Sequence, residues 1–172
     1  PAGRPAGRGD ARGLGLPVLW VNRNWDPYLG DALREAHAAG HRRLLAVVTS
    51  AYSSYSSCRQ YREDLAAALA ETCLADELHI DKVRQYFDHP GFVAPFVSAV
   101  SGALDRAAEA GDLADAHVLF VTHSIPTQAD LASGPPDVDL GPEGAYGAQH
   151  RAVADVVMTA TGRDVPWSLV YQ

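Results

Sequence analysis

Short apolar runs alternate along the chain with stretches in which apolar residues recur every three or four positions. Pro17-Val-Leu-Trp-Val21, ahead of Asn22-Arg23-Asn24, reads as a buried strand ending in a polar turn. Asp26 then reads as a helix cap with Pro27 at the first helical position, and Tyr28, Leu29, Ala32, Leu33 and Ala36 form an amphipathic stripe that stops at Gly40. Leu44 to Val48 is a continuous apolar run of the kind found in parallel strands covered on both faces, which would complete a βαβ unit. A hydroxyl-rich loop, Ser50 to Ser57, leads into a helix expected from about Cys58 to Leu74, with Ser56 or Ser57 as its cap. Leu78-His-Ile80 reads as a brief strand. Pro90 to Ala110 reads as a long helix ended by Gly111, with Phe92, Phe96, Val100 and Leu104 as its apolar stripe. His117 to Thr122 repeats the buried-strand signature, and a loop from Asp130 to Gly144 with three Pro and three Gly follows. A helix from Ala145 to Thr161 and a strand from Trp167 to Tyr171 close the pattern.

Alternation of this kind predicts an α/β fold with a mostly parallel sheet and right-handed crossovers. In such folds ligands bind beyond the carboxyl ends of the strands, which singles out Asn22 to Trp25, Ser50 to Ser57 and Thr122 to Pro126. The first sixteen residues carry five Gly, three Arg, three Ala and two Pro without a hydrophobic period. They read as a flexible or truncated lead-in carrying no fold information.

The 172 residues suffice for about one domain, and a hydrophobic content of 47% with 20% charged residues indicates a globular chain. A net charge of −7 opposes phosphate neutralisation, so nucleic acid is excluded as an expected partner. No apolar run approaches the roughly 20 residues that span a bilayer, and the start has no apolar signal core, so a cytoplasmic protein is expected. Two cysteines, Cys58 and Cys73, do not make a disulfide framework.

Thr122-His-Ser-Ile-Pro126 sets an imidazole at the carboxyl end of a buried strand, where it could bind a borderline metal or take protons, or merely satisfy nearby backbone groups. The Ser50 to Ser57 loop could cradle an anion, against the plainer reading of a solvated, helix-capping loop. Cys58 opens a helix, where thiolate is favoured, although a small buried apolar residue is the simpler reading. Cys73 reads as packing on the inner face of the same helix, from the spacing of Leu65, Ala66, Leu69 and Cys73. His37 and His41 are separated by the expected helix end at Gly40. His79, His89, His117 and His150 lack a close histidine partner and read as surface or structural residues rather than ligands. No GxSxG or GxGxxG motif in the right context is present.

Val21-Asn-Arg-Asn-Trp-Asp-Pro-Tyr28, Thr49-Ser-Ala-Tyr-Ser-Ser-Tyr-Ser-Ser-Cys-Arg-Gln-Tyr61 and Thr122-His-Ser-Ile-Pro126 stand in the order and spacing of the ferrochelatases. The chain resembles that family from Leu16 to Gln172, and most closely its coproporphyrin-using members from a high-GC bacterial branch. The resemblance implies a chelatase-like three-layer αβα fold of two similar lobes. It further implies insertion of Fe²⁺ into coproporphyrin III to give coprohaem in haem biosynthesis, a lyase reaction. By position in the family, His123 matches the histidine that ligates the incoming Fe²⁺ and accepts pyrrole protons. Tyr61 matches a porphyrin-contacting tyrosine, and Cys58 matches the first cysteine ligand of the branch's [2Fe–2S] cluster.

On this resemblance residues 1–16 are the lead-in, 17–75 the end of a first lobe and 76–172 the beginning of a second. Ferrochelatases are about twice this length, so an internal fragment is expected, without turnover of its own, its cluster incomplete, and dependent on missing segments or self-association. Two other functions fit the residues less specifically. One is a small homodimeric chelatase of tetrapyrroles, whose mark would be metal-ligating histidines on both halves of one lobe. The other is a non-enzymatic α/β module that grips phosphate with the serine loop.

Overall fold

In the computed structural model, the backbone is described for residues 7–10, 15–135 and 137–172, and side chains for 15–135 and 137–172. The described chain forms two compact units, residues 1–48 with 59–83 and residues 49–58 with 84–172. Both are α/β in class with a parallel strand pair, as the pattern predicts. Among the described residues the strands form three two-stranded sheets. No helix among those residues is long and apolar enough to cross a membrane.

In the first unit, β1 (Gly7–Asp10) runs antiparallel to β2 (Pro17–Trp20), with Gly7 opposite Trp20 and Asp10 opposite Pro17. Part of the expected lead-in is therefore a strand, because backbone hydrogen bonding needs no hydrophobic period; residues 1–6 and 11–14 lie outside the described ones. The apolar run beside it is not the buried strand expected, since Val18 is 38% and Trp20 52% exposed. Asn22 next draws the chain back on itself, its N–H donating to the Pro27 carbonyl and its side-chain amide to the Asp26 carbonyl, both at 2.8 Å. With the chain drawn back to Asn22, Tyr28 keeps extended backbone at φ −83° and ψ 155°, so α1 (Leu29–Ala38) starts after it and not from an Asp26 cap with Pro27 inside it. Its stripe holds as predicted: Ala32, Leu33 and Ala36 are buried, and Gly40 ends the segment at φ +90°.

β3 (Arg43–Ala46) pairs in parallel with β4 (His79–Lys82), Arg43 opposite His79. Among the described residues β2 and β3 are not paired, so the βαβ unit expected from residues 17–48 is not closed. Nor is this strand covered on both faces. Leu44 packs on Leu33, Ala68, Leu74 and Leu78, whereas Leu45 and Val47 are 67% and 64% exposed. The helix expected over 58–74 is α2 (Gln60–Glu71), preceded by a π turn at Tyr55–Arg59. At its far end the Thr72 hydroxyl donates back to the Ala68 carbonyl at 2.7 Å. Cys73 follows with φ +57°, and this reversal sends Leu74 into the core and leaves Cys73 exposed, contrary to its expected burial. Both cysteines are free thiols.

The second unit contains α3 (Pro90–Ala110), β5 (Val118–Thr122), α4 (Thr127–Leu131), α5 (Ala145–Thr161) and β6 (Trp167–Tyr171). The limits of α3 are those the sequence predicts. The His89 ring accepts from the Gly91 N–H at 3.0 Å at its start, and Gly111 turns left-handed at its end. β5 and β6 are parallel, with Val118 opposite Trp167 and Thr122 opposite Tyr171. One face of the pair packs Phe120, Val118 and Trp167 onto Leu104, Met158 and Val165. Again only one face is covered, since Leu119 and Val121 are 59% and 58% exposed.

The proline-rich segment before α5 is fastened by one carboxylate. Asp130 accepts from the N–H groups of Tyr146 at 2.8 Å and Gly147 at 3.2 Å, satisfying two of the orphan donors at the helix start. Chain and cap meet closely at Gly144, where an added Cβ would lie 2.0 Å from the Asp130 carbonyl oxygen. Gly144→Ala is therefore expected to destabilise the chain by about 1–3 kcal/mol, the usual cost of overpacking. Urea denaturation beside the wild-type chain checks this, and an unchanged midpoint would contradict the close approach.

Candidate active site

At the carboxyl end of β5 the second unit holds a cavity of about 300 Å³, at the lower end of the range for ligand pockets. Thr49 to Tyr52 form one side and Tyr86 and Phe92 another, while Thr122 and His123 at the strand end and Tyr146 and His150 on α5 complete it. Its wall is largely aromatic. The Tyr52 ring stacks on the His150 imidazole with centroids 3.5 Å apart and an interplanar angle of 19°, and meets Phe92 edge to face at 5.9 Å.

Two of the strand-end segments singled out from the sequence, Ser50 to Ser57 and Thr122 to Pro126, thus contribute to one cavity. The loop bearing Tyr52 is fixed by α5 through a reciprocal pair, the Ser53 N–H donating to Gln149 Oε1 at 2.7 Å and Gln149 Nε2 to Ser53 Oγ at 2.9 Å. Ser53, Ser54 and Ser57 are buried, so the loop is not the solvated one expected. The hydroxyl of Ser57 donates to the Tyr52 carbonyl at 2.5 Å and accepts from the Ser54 N–H at 2.8 Å. Engaged in this way, the Ser57 hydroxyl holds the loop's shape.

His123 is exposed at the cavity, and its carbonyl accepts from the Tyr146 hydroxyl at 2.9 Å. The Tyr146 oxygen also lies 2.8 Å from Thr122 Oγ1, which is 3.1 Å from His150 Nε2. Burial pushes the His150 imidazole down to about 4, against a smaller opposing pull from the Asp130 carboxylate. Burial, helped by Tyr146, pushes the Tyr52 phenol up to about 12. Both groups are therefore neutral at pH 7.

The other sequence-derived candidates are not among the residues lining this cavity. Cys58 belongs to the same unit, half-buried in the π turn, with its N–H donating to the Ser54 carbonyl at 2.8 Å. Tyr61 belongs to the first unit, on α2, with the Arg23 guanidinium 6.0 Å above its ring and Arg23 Nε 2.8 Å from Asp64 Oδ2. No group of three or more His, Cys, Asp or Glu side chains among the described residues could hold a metal ion. A [2Fe–2S] cluster takes four thiolates and these 172 residues hold two cysteines, so their own thiol set does not complete such a site. His150, expected to be a surface or structural residue, is half-buried on the wall of the cavity and bonded to Thr122. Its spacing from Tyr146, four residues along one helix face, is the trace of this in the sequence.

The family model "Ferrochelatase" matches residues 6–172, and the chain belongs to the ferrochelatase family. Among curated relatives, the chain is 56% identical to the coproporphyrin III ferrochelatase of Leifsonia xyli subsp. xyli, with 94% of this chain and 44% of that protein aligned. It is 54% identical to that of Streptomyces coelicolor, over 93% of this chain and 44% of the relative. With that of Tropheryma whipplei it shares 48%, over 94% and 43%. The chain therefore spans less than half the length of these relatives.

The depressed basicity of His150 sets a pH dependence. The unfolded imidazole, near 6.5, binds a proton before the folded one, near 4. This group's contribution to stability is thus complete above pH 6.5, declines as the pH falls from 6.5 to 4, and is flat below 4. Urea midpoints across that window should fall more steeply for the wild-type chain than for His150→Gln, which cannot titrate; parallel curves would contradict the assignment.

Proposed function

We propose that this chain forms part of a ferrochelatase that inserts Fe²⁺ into coproporphyrin III, giving coprohaem in haem biosynthesis, in the cytoplasm. The carrying observation is the exposed His123 imidazole beside an aromatic cavity at a strand end, in a chain whose relatives are named coproporphyrin III ferrochelatases. Metallation requires Fe²⁺ to exchange water for four pyrrolic nitrogens while two N–H protons leave the ring. Imidazole offers one lone pair suited both to a borderline divalent metal and to a proton at neutral pH. His123 is the residue assigned to that work, its lone pair serving in turn: first as ligand of the incoming Fe²⁺ and, once the metal has passed to the ring nitrogens, as acceptor of one pyrrolic proton, the other leaving to solvent. The neutral rings of Tyr52 and His150, with Tyr146 beside them, supply an aromatic wall for a flat aromatic substrate.

Tyr61 is assigned a porphyrin contact and Cys58 one thiolate of a [2Fe–2S] cluster, the other ligands coming from outside these 172 residues. Residues 17–75 are read as the end of one chelatase lobe and 76–172 as the beginning of the second. The remaining segments of such a protein, or a second copy, are the partners this reading calls for.

In a protein of the relatives' length built around this segment, His123→Ala is expected to lower iron insertion at least 10²-fold while leaving coproporphyrin binding, read from the Soret band, within a few-fold. Wild-type turnover in that variant would sink the assignment. Titrating the same protein with coproporphyrin III and with a nucleotide separates this reading from a phosphate-binding module. Only the porphyrin should bind.

A further inference from the structure

The His150–Thr122–Tyr146 chain lines the cavity with its proton directions set from one end. It ends on the His123 carbonyl, which can only accept, so the single Tyr146 hydroxyl proton is committed there at 2.9 Å. The 2.8 Å contact between Tyr146 and Thr122 must then be a donation from Thr122 Oγ1. With its proton spent, Thr122 Oγ1 can only accept from His150 Nε2 at 3.1 Å. His150 accordingly carries its proton on Nε2, and its ring plane is held by the stack on Tyr52.

The backbone on either side of His123 is tied separately. The Thr122 carbonyl accepts from the Gln172 N–H at 3.0 Å, and the Ser124 N–H donates to the Gln172 carbonyl at 2.9 Å. The relay supplies the tie on His123 itself. We propose that His150, Thr122 and Tyr146 are positioning residues for His123, a one-way hydrogen-bond relay that sets where its imidazole stands. This rests on the reading of His123 as the catalytic group. An exposed side chain at a strand end has several rotamers open to it, and fixing the peptide beneath it limits the directions in which the ring can reach. At the middle of the relay Thr122 is only 8% exposed, so water does not readily replace a partner lost there, whereas the Tyr146–His123 link is open to solvent.

The test has two arms. In the 172-residue chain, long-range ¹H–¹⁵N correlations of the imidazoles should show His150 as the Nε2–H tautomer, retained in Thr122→Ser and lost in Thr122→Val. An Nδ1–H tautomer in the wild-type chain would overturn the relay whatever the enzyme does. In a protein of the relatives' length, Thr122→Val and Tyr146→Phe, which keep shape and remove a hydroxyl, should each lower kcat by about 10- to 100-fold with KM for the porphyrin within about twofold. Thr122→Ser should recover most of the loss. Unchanged kcat in both hydroxyl-free variants, or a serine variant as impaired as the valine one, would refute the positioning role. Wild-type turnover in His123→Ala would instead refute the reading on which it rests, with the tautomer result standing on its own.

Discussion

One face of α5 organises everything around His123. Tyr146, Gln149 and His150 stand at positions i, i+3 and i+4, so they share a single side of the helix. Gln149 and His150 hold the loop bearing Tyr52, by a reciprocal amide–serine pair and a ring stack, while Tyr146 and His150 hold the end of β5. Two segments far apart in sequence become one cavity because the same helix turn engages both. The helix is placed in turn by Asp130, whose carboxylate occupies its first turn, and by Val157 and Met158, which bury its opposite end.

The polar contacts in this region are consistent in sign. Ser57, Thr122 and Tyr146 each have a single proton and each gives it to a defined acceptor, so few alternative arrangements compete. His150 and Tyr52 are neutral at pH 7 because their surroundings are poor in water. The result is a polar network without net charge beside an exposed imidazole.

Much of this was legible in the sequence. The α/β class, the limits of α3, α5 and β6, the inward stripe of α1 and the strand-end position of His123 all follow from periodicity and from glycine and proline punctuation, which are local properties of the backbone. The three quoted motifs were enough to mark the family, because their residue types and order are specific even where their contacts are unknown. Where periodicity failed, non-local partners were responsible. The apolar runs at 17–21, 44–48 and 117–122 suggested buried strands, the second covered on both faces, yet Trp20, Leu45, Leu119 and Val121 are exposed. An apolar run reports that a strand can be buried, not which cover this chain supplies.

Tertiary structure alone decided the rest. Whether Asp26 caps a helix depended on the chain folding back onto Asn22 and holding Tyr28 extended. Whether Cys73 faced the core depended on the Thr72 hydroxyl and a left-handed turn. His150 looked like any isolated histidine, because its partners Tyr52 and Thr122 lie 98 and 28 positions away in sequence and are joined to it only by folding. Sequence by itself determined which residue types stand at strand ends and helix faces, since those follow from bonds a few residues long. The protonation, direction and partners of the groups around His123 were set by the fold, since a hydrogen bond's polarity and an imidazole's desolvation depend on what is brought beside it.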